Sequence, residues 1–197
     1  MPLAQRLADL GLVLPETAAP GARYAAVVVH DQLAWVSGQL PREGDTVVVA
    51  GKLGGDVDIA AAQHGAHLAL LRGLAALRDE LGDLDRVKQI LRMTVYVNCT
   101  DDFTQHSAVA DGASSLIYEL FAHTLGRHTR TSVGVEQLPR DGCVEIDLVV
   151  ALHGCPTRHH HRRRRCRPCP SCRQRDDGMD SRRLGWRLDA PVLDHPT

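Results

Sequence analysis

Residues 130–147 read RTSVGVEQLPRDGCVEID, and this stretch decides how the chain is expected to fold. Thr131, Val133 and Val135 alternate with small residues, which is the side-chain period of a strand. Pro139 and the Asp-Gly pair after it break the alternation, which then resumes in VEIDLVV. The stretch therefore predicts two strands closed by a turn.

One basic and two acidic side chains stand out here. Arg130 leads the first strand, and Glu145 and Asp147 share a face of the second. Because side chains alternate across a strand, both acids lie opposite to the apolar run and off the core side. In such a hairpin Arg130 is opposite a residue near Val149, on the order of 10 Å from Glu145 at about 3.3 Å per residue. A ligand has to span that gap, or a neighbouring subunit has to complete the site.

Earlier in the chain, strand patterns come first. Residues 24–30 and 33–37 are rich in β-branched and aromatic side chains and are joined by a short polar segment, which predicts a hairpin. Residues 46–50 indicate a third strand of the same sheet, ahead of a glycine cluster.

Two helical patterns follow, separated by a strand over residues 87–97. The first spans residues 56–81, with Asp56 or Asp58 available to cap its start and Gly82 to end it. Gly126 stands where the second helix should stop. The apolar stripes are Ala66, Leu70, Leu74, Leu77 and Leu81 in the first helix, and Val109, Ala113, Leu116, Ile117 and Leu120 in the second.

The predicted order of elements is β-β-β-α-β-α-β-β. This order gives an antiparallel-rich sheet with two helices packed on one face, which is the α+β class. Leu3, Leu7 and Leu10 add a short amphipathic helix at the N-terminus, and Pro15 stops it.

Charge divides the 197-residue chain into a body and a tail. Up to Thr157 there are 12 basic and 19 acidic residues, whereas after it there are 11 and 5. The tail also lacks apolar periodicity, which favours disorder. We therefore predict an N-terminal helix and linker over residues 1–22, a folded domain over 23–155 and a basic, disordered tail over 156–197.

Other features of the composition concern the compartment. Arg6 and Asp9 interrupt the apolar N-terminal residues, and no run is long enough for a signal sequence or a membrane span. Cys99 and Cys143 lie well inside the body, too few for a disulfide framework among the six cysteines of the chain. These features predict a cytoplasmic protein without a membrane partner.

The stretch quoted first resembles the C-terminal signature of the YjgF/RidA family of small trimeric enamine/imine deaminases. The matching features are Arg130 followed by threonine, Leu138-Pro139 at the turn, and Glu145 in a V-E-I-D strand. Ser37-Gly38-Gln39 is similar to the S-G-Q after the family's second strand, and Tyr24 stands at the usual distance before it.

This resemblance implies a chorismate-mutase-like fold and a homotrimer with clefts between subunits, without a cofactor or a metal. It also implies hydrolysis of reactive 2-enamine/2-imino acid intermediates to 2-oxo acids and ammonia. Arg130 and Glu145 are the implied catalytic residues: the planar guanidinium clamps a substrate carboxylate, and the glutamate directs the attacking water. Tyr24, Ser37 and Gly38 are implied to bind the rest of a small substrate, together with Arg130.

The chain departs from the family pattern at three places. Gly21-Ala22-Arg23-Tyr24 stands where Gly-Pro-Tyr is usual, and the asparagine expected soon after Asp102-Phe103 is absent. The D-G-A-S run at 111–114 is similar to a divergent, chorismate-mutase-like branch of the family. The missing asparagine leaves open an alternative function, a non-catalytic or regulatory protein of the same fold that binds ligands resembling 2-oxo acids.

Each candidate residue also has a purely structural interpretation. Arg130 is compatible with a salt bridge on a sheet edge, and the two acids of the last strand with a solvated outer face. Tyr24 is compatible with a plain strand position, since strands favour aromatic residues.

The remaining signals are weaker. His64 and His67 lie one helical turn apart without a third ligand at suitable spacing, which favours a solvated helix face over a metal site. Three cysteines between 166 and 172 follow a His run, but their spacing is not that of a paired zinc knuckle. The arginines at 162–165 attract RNA or anionic surfaces by charge alone, so nucleic acid is expected only as a non-specific partner of the tail.

Overall fold

The computed structural model describes residues 1–17 and 23–154, which form a mixed α+β structure as predicted. None of the helices in these ranges is long and apolar enough to cross a membrane. The predictions for the tail and for the segment just before Tyr24 lie outside the described residues. The elements are α1 (Leu3–Asp9), β1 (Val27–His30), β2 (Leu33–Gln39), β3 (Arg42–Glu43), β4 (Thr46–Val47), α2 (Ile59–Leu81), β5 (Val87–Asn98), α3 (His106–Leu125), β6 (Thr129–Val135) and β7 (Val144–Leu152).

The long helix α2 begins and ends where its capping residues are. The carboxylate of Asp58 accepts a hydrogen bond from the backbone N–H of Ala61 at 2.7 Å, which satisfies one of the free donors of the first turn. Gly82 ends the helix in the left-handed region, with φ of +72°. The five residues of its predicted stripe are all buried. Local chemistry therefore fixes both ends of the helix that covers the sheet.

The five-stranded sheet has the order β1-β2-β7-β5-β6. Strands β6 and β7 are therefore not a hairpin, and the prediction that they pair was wrong. Both pair with β5, β6 in parallel and β7 antiparallel. The reason is that α3 connects β5 to β6 as a crossover, which leaves β6 parallel to β5 on its outer edge while β7 fills the place between β5 and β2.

Both long helices cover one face of this sheet. Val144, Ile146 and Leu148 of β7 point into the layer of α2 and α3 and are buried, whereas Glu145 and Asp147 point to the other face and are half-buried. This alternation is the one that the sequence predicts. The core consequently lies on the helix side, and the opposite face of the sheet carries the two acids.

The predicted third strand is shorter than expected and belongs to a different sheet. Thr46–Val47 pairs only with Arg42–Glu43 in a two-stranded ribbon that turns at Gly44, where φ is +56°. A two-residue pairing of this kind is set by the turn and not by burial. Apart from this ribbon, the predicted order of strands and helices is confirmed.

The N-terminal helix packs into the same core. Leu3 and Leu7 of α1 are buried, and the backbone N–H of Leu3 donates to the Asp85 carboxylate at 2.8 Å. The helix ends at Asp9, well before Pro15, and Leu10 is 40% exposed. Pro15 is therefore not what stops α1.

Candidate functional site

Arg130 points to the helix side of the sheet. It pairs with Met93 of β5, which pairs in turn with Leu148 of β7, and both of these neighbours are buried under the helices. Its Nη1 donates to the carboxylate of Asp111 at 2.7 Å and to the hydroxyl of Ser114 at 3.0 Å. The side chain is only 23% exposed, so α3 holds the guanidinium in a fixed position.

A hydrogen-bond chain continues behind Arg130. The Ser114 hydroxyl lies 3.0 Å from Nε2 of His128, and Nδ1 of His128 lies 2.8 Å from the carbonyl oxygen of Gly126. Since that carbonyl can only accept, Nδ1 carries a proton; in the neutral tautomer assigned from this network, Nε2 accepts from Ser114, whose oxygen accepts from Arg130. This series of hydrogen bonds through Ser114, His128 and Gly126 orients the Arg130 guanidinium.

Sequence reasoning missed these supporting residues. Asp111 and Ser114 belong to the D-G-A-S run that was noted only for its resemblance to a divergent branch. Their spacing of three residues places both on one face of α3, and this spacing is the feature of the sequence that could have identified them. What the sequence alone does not contain is that this face meets β6.

The guanidinium retains a free edge. Within residues 1–17 and 23–154, Nη1 of Arg130 has partners but Nε and Nη2 make no hydrogen bond. A planar guanidinium with two adjacent N–H groups on one edge matches the geometry of a carboxylate. Arg130 is therefore already oriented and still able to bind an anion.

Glu145 lies on the other face of the sheet. It pairs with Tyr96 of β5 and is half-buried next to Asp147, whose carboxylate accepts a hydrogen bond from the Tyr96 hydroxyl at 3.1 Å. Burial, and secondly the negative charge of Asp147, raise the pKa of the Glu145 carboxyl above its usual value. A carboxyl group with a raised pKa keeps its proton to higher pH than an ordinary glutamate, which favours a role in proton transfer.

Two of the site residues predicted from the sequence, Gly38 and Glu145, are in contact in the structure. A Cβ added at Gly38 would overlap Oε1 of Glu145 and lie 2.7 Å from its carboxyl carbon. The pairing of β2 with β7 shifts register between Val36 and Gln39, which is where this approach occurs. The glycine thus gives the carboxylate room against the backbone of β2.

The other two predicted binding residues take no part in this contact. Among the described residues, the Ser37 hydroxyl contacts only its own strand: Nε2 of Gln39 lies 3.4 Å from the hydroxyl and donates to the Ser37 carbonyl at 3.1 Å, while the Ser37 backbone N–H donates to the Ala26 carbonyl at 2.9 Å. Tyr24 precedes β1, is 56% exposed, and makes no side-chain hydrogen bond within the described residues. Neither residue reaches Arg130 in one copy of the chain.

Arg130 and Glu145 do not converge within one chain. Glu145 is in register with Tyr96 and Val133, three positions further along β6 than Arg130. That offset is on the order of 10 Å along the strand, and β5 also lies between the two strands, whereas the sequence predicted the gap from a direct hairpin of β6 and β7. The odd number of positions also places the two side chains on opposite faces of the sheet. A site containing both residues needs a second copy of the chain.

If Glu145 acts in catalysis, Gly38→Ala should lower activity without unfolding the protein. The added methyl group meets the end of a flexible side chain and not backbone, so the Glu145 carboxylate moves aside while β2 and β7 stay paired. A displacement of about 1 Å at a catalytic group costs up to roughly 100-fold in rate. The control is Gly55→Ala, whose Cβ has no neighbour nearer than 3.6 Å. Equal kcat values for the two variants would contradict the assigned role of this contact.

The protein is a two-layer α+β protein with a carboxylate on the open sheet face and an arginine beside the helix layer. Comparison with known proteins assigns its family. A family model described as "YjgF/chorismate_mutase-like, putative endoribonuclease" matches residues 4–152. The chain belongs to the YjgF/chorismate-mutase-like family, which confirms the resemblance noted in the sequence.

Individual relatives agree with this assignment. The chain is 40% identical to Protein TCP17 of Trypanosoma cruzi over 151 residues, which are 77% of this chain and 94% of that protein. The crystal structure of Atu1372 from Agrobacterium tumefaciens, a protein of unknown function, is 35% identical with a TM-score of 0.69 and covers 76% of this chain and 91% of its own. The structure of a "putative endoribonuclease" from Shewanella oneidensis is 30% identical with a TM-score of 0.73, over 77% and 100%.

Proposed function

We propose that this protein hydrolyses reactive 2-enamine/2-imino acids to 2-oxo acids and ammonia, in clefts between subunits of a homotrimer. The observation that carries the proposal is the pair of prepared groups: Arg130, fixed by Asp111 and Ser114 with one donor edge free, and Glu145, half-buried with a raised pKa. A 2-imino acid has the matching parts, a carboxylate at C1 and an electrophilic carbon at C2.

Arg130 binds the substrate carboxylate. Its Nε and Nη2 form two parallel charge-assisted hydrogen bonds with the two oxygens, and the bond to Asp111 prevents the guanidinium from rotating away. Fixing the carboxylate also fixes C2, which is one bond away. The contacts that hold Arg130 in place therefore also orient the reacting carbon.

Glu145 transfers protons between water and the imine nitrogen. The oxygen of a water molecule bonds to C2 of the protonated imine while the carboxylate of Glu145 takes one proton from the water, and the iminium nitrogen becomes a neutral amine. Glu145 then gives that proton to the amine nitrogen. The C–N bond breaks as the hydroxyl oxygen forms the C=O bond and gives its proton to the Glu145 carboxylate, which releases it to solvent, and ammonia and a 2-oxo acid leave. The raised pKa supports both halves of this cycle, because the acid form persists to higher pH than in an ordinary glutamate.

A neighbouring subunit resolves the separation of the two groups. In one chain Arg130 and Glu145 face opposite sides of the sheet, so a cleft that contains both takes one from each of two copies. The open face offers the surface for such contact: Val28, Trp35 and Val133 are 54%, 41% and 39% exposed there. Exposed apolar side chains on an uncovered sheet face favour association.

Cleavage of RNA is less well supported by this chain. The Shewanella relative is described as a "putative endoribonuclease", and a polyanion needs a basic surface. Up to Thr157, however, the sequence has 12 basic and 19 acidic residues. The excess of basic residues falls in the tail, outside the described residues.

The direct test measures ammonia and 2-oxo acid from freshly generated 2-imino acids, against the spontaneous rate in buffer. We expect the wild type to exceed that rate with at least one small imino acid. A wild type that does not exceed it, but binds 2-oxo acids only when Arg130 is present, is the non-catalytic binding protein that the sequence left open.

Association is tested separately by Trp35→Glu. A carboxylate on the open face loses its water when a second copy packs there, so we expect the variant to sediment as a monomer at micromolar concentration. Leu125→Glu is the matched control, because Leu125 is also 41% exposed but lies on α3 in the helix layer. A Trp35→Glu protein that still forms trimers would place the subunit contact elsewhere.

A further inference from the structure

A cavity of about 510 Å³ opens beyond the C-terminal ends of β5 and β6, at the start of α3. Cys99 and His106 line it together, and the Cys99 Sγ lies 3.5 Å from Nε2 of His106. The ring of Phe103 meets the His106 ring edge to face, with centroids 5.5 Å apart, which fixes the orientation of the imidazole. This thiol–imidazole pair has no part in the deaminase proposal.

The pair depends on a glycine of β6. A Cβ at Gly134 would lie 2.7 Å from Nε2 of His106 and 2.8 Å from Sγ of Cys99, closer than real atoms approach. The missing side chain therefore opens the space in which the sulfur and the ring nitrogen meet, and any larger residue has to push them apart.

We propose that Cys99 and His106 form a nucleophilic site that adds covalently to small, uncharged α,β-unsaturated carbonyl compounds. The thiol gives its proton to Nε2 of His106, and the sulfur bonds to the β-carbon of the acceptor. The π electrons of the C=C bond move to the α-carbon, which then takes the proton back from the imidazolium. The product is a thioether, and no other reactant is needed.

The surroundings select the reactant. Cys99 is only 8% exposed, so a bulky reagent does not reach the sulfur. Asp101 and Glu136 also line the cavity, while Lys52 lies on its border with its amine directed at the Cys99 and Glu136 carbonyl oxygens. Two carboxylates against one amine disfavour an anionic ligand.

The imidazole is required because the thiol does not ionise by itself. Burial raises the pKa of the Cys99 thiol, against a smaller opposing effect from the charge of Lys52. At neutral pH the sulfur is therefore protonated until a base takes its proton. Cys143 provides the internal comparison, since burial raises the pKa of its thiol to about 12 and it is fully buried.

The experiment treats the folded full-length chain with acrylamide at pH 7 and follows each cysteine by peptide mass spectrometry. We expect the Cys99 adduct to accumulate while Cys143 stays unmodified, and both to react after denaturation. A native sample in which Cys99 is as inert as Cys143 overturns the proposal. Reaction of both residues at one rate also overturns it, because that indicates unfolding and not a site.

Variants then assign the roles. His106→Gln keeps a polar side chain of similar size but removes the base, and we expect the rate at Cys99 to fall at least about tenfold. Gly134→Ala displaces the pair and should lower the rate as well, whereas Gly55→Ala leaves it at the wild-type value. Circular dichroism melting confirms that each variant is folded. An unchanged rate in His106→Gln overturns the role of the imidazole, whatever Gly134→Ala shows.

Discussion

Arg130→Ala is expected to lower kcat/KM for 2-imino acids by about 100-fold or more, through weaker binding as well as slower turnover. Two charge-assisted hydrogen bonds to the carboxylate are lost, each worth about 1.5 to 3 kcal/mol. Asp111 and Ser114 also lose the partner that they hold in place. Steady-state ammonia release, with kcat and KM separated, measures the effect.

Two further substitutions test the reason for this loss. Arg130→Lys should not restore activity, because an ammonium group cannot present two parallel donors to a carboxylate. Arg127→Ala is the control for charge alone, since Arg127 is exposed and lies three residues earlier in the chain. If Arg127→Ala loses as much activity as Arg130→Ala, the guanidinium acts through the general field and not as a clamp.

Glu145→Gln is expected to act on turnover and to leave binding nearly intact. The amide keeps the size of the side chain but cannot take a proton, so kcat should fall by about 100-fold or more while KM changes little. Asp147→Asn is the matched change on the same face. It removes a charge that raises the Glu145 pKa, so the acid limb of the pH–rate profile should move to lower pH.

Glu145→Gln should also make the protein more stable at neutral pH. A carboxyl whose pKa is raised on folding binds more protons folded than unfolded, so its contribution to stability falls as pH rises from about its usual value of 4.5 through the raised one. Above that window the charged Glu145 destabilises the fold, and an uncharged glutamine does not. The gain should vanish below the window, and melting curves at both pH values check this. A Glu145→Gln protein that is inactive and also less stable at neutral pH would point to a structural role for this residue.

The second large effect is expected from Gly112→Ala, which should destabilise the protein by about 3 kcal/mol. A Cβ at Gly112 would overlap the carbonyl oxygen of Gln63 and lie 2.7 Å from its Cα, so it meets backbone of α2 that cannot move aside. Helices α2 and α3 would have to separate. In a helix without such contact the same change would stabilise by about 1 kcal/mol, so the expected sign is opposite to propensity.

Thermal unfolding measures this prediction. A loss of about 3 kcal/mol corresponds to a melting temperature lower by roughly 6 to 12 °C for a protein of this size. Gly55→Ala, with its Cβ in ordinary contact distance, should melt within about 2 °C of the wild type. A Gly112→Ala protein that melts at or above the wild-type temperature would show that the contact between the two helices can relax.

The parts of the fold that depend on neighbours along the chain could be predicted from the amino-acid sequence. The alternation in VEIDLVV put Glu145 and Asp147 on the face away from the core, and the structure agrees. Gly82 marked the end of α2 and Asp56 or Asp58 its start, of which the structure uses Asp58, because capping chemistry involves only a few adjacent residues. The motifs around Arg130 and Glu145 indicated the family in the same local way, and the match over residues 4–152 confirms it.

The neighbours of each strand, and the contacts between distant residues, could not be predicted from the sequence and depend on long-range packing. Two strands joined by a turn predict a hairpin, yet β5 lies between β6 and β7, because a crossover helix positions β6 and no local pattern encodes that choice. The partners of Arg130 on α3, and the approach of Gly38 to Glu145, are contacts between elements distant in sequence. The placement of Arg130 and Glu145 on opposite faces follows from the same long-range pairing, since register across three strands is set by packing and not by the residues of any one of them.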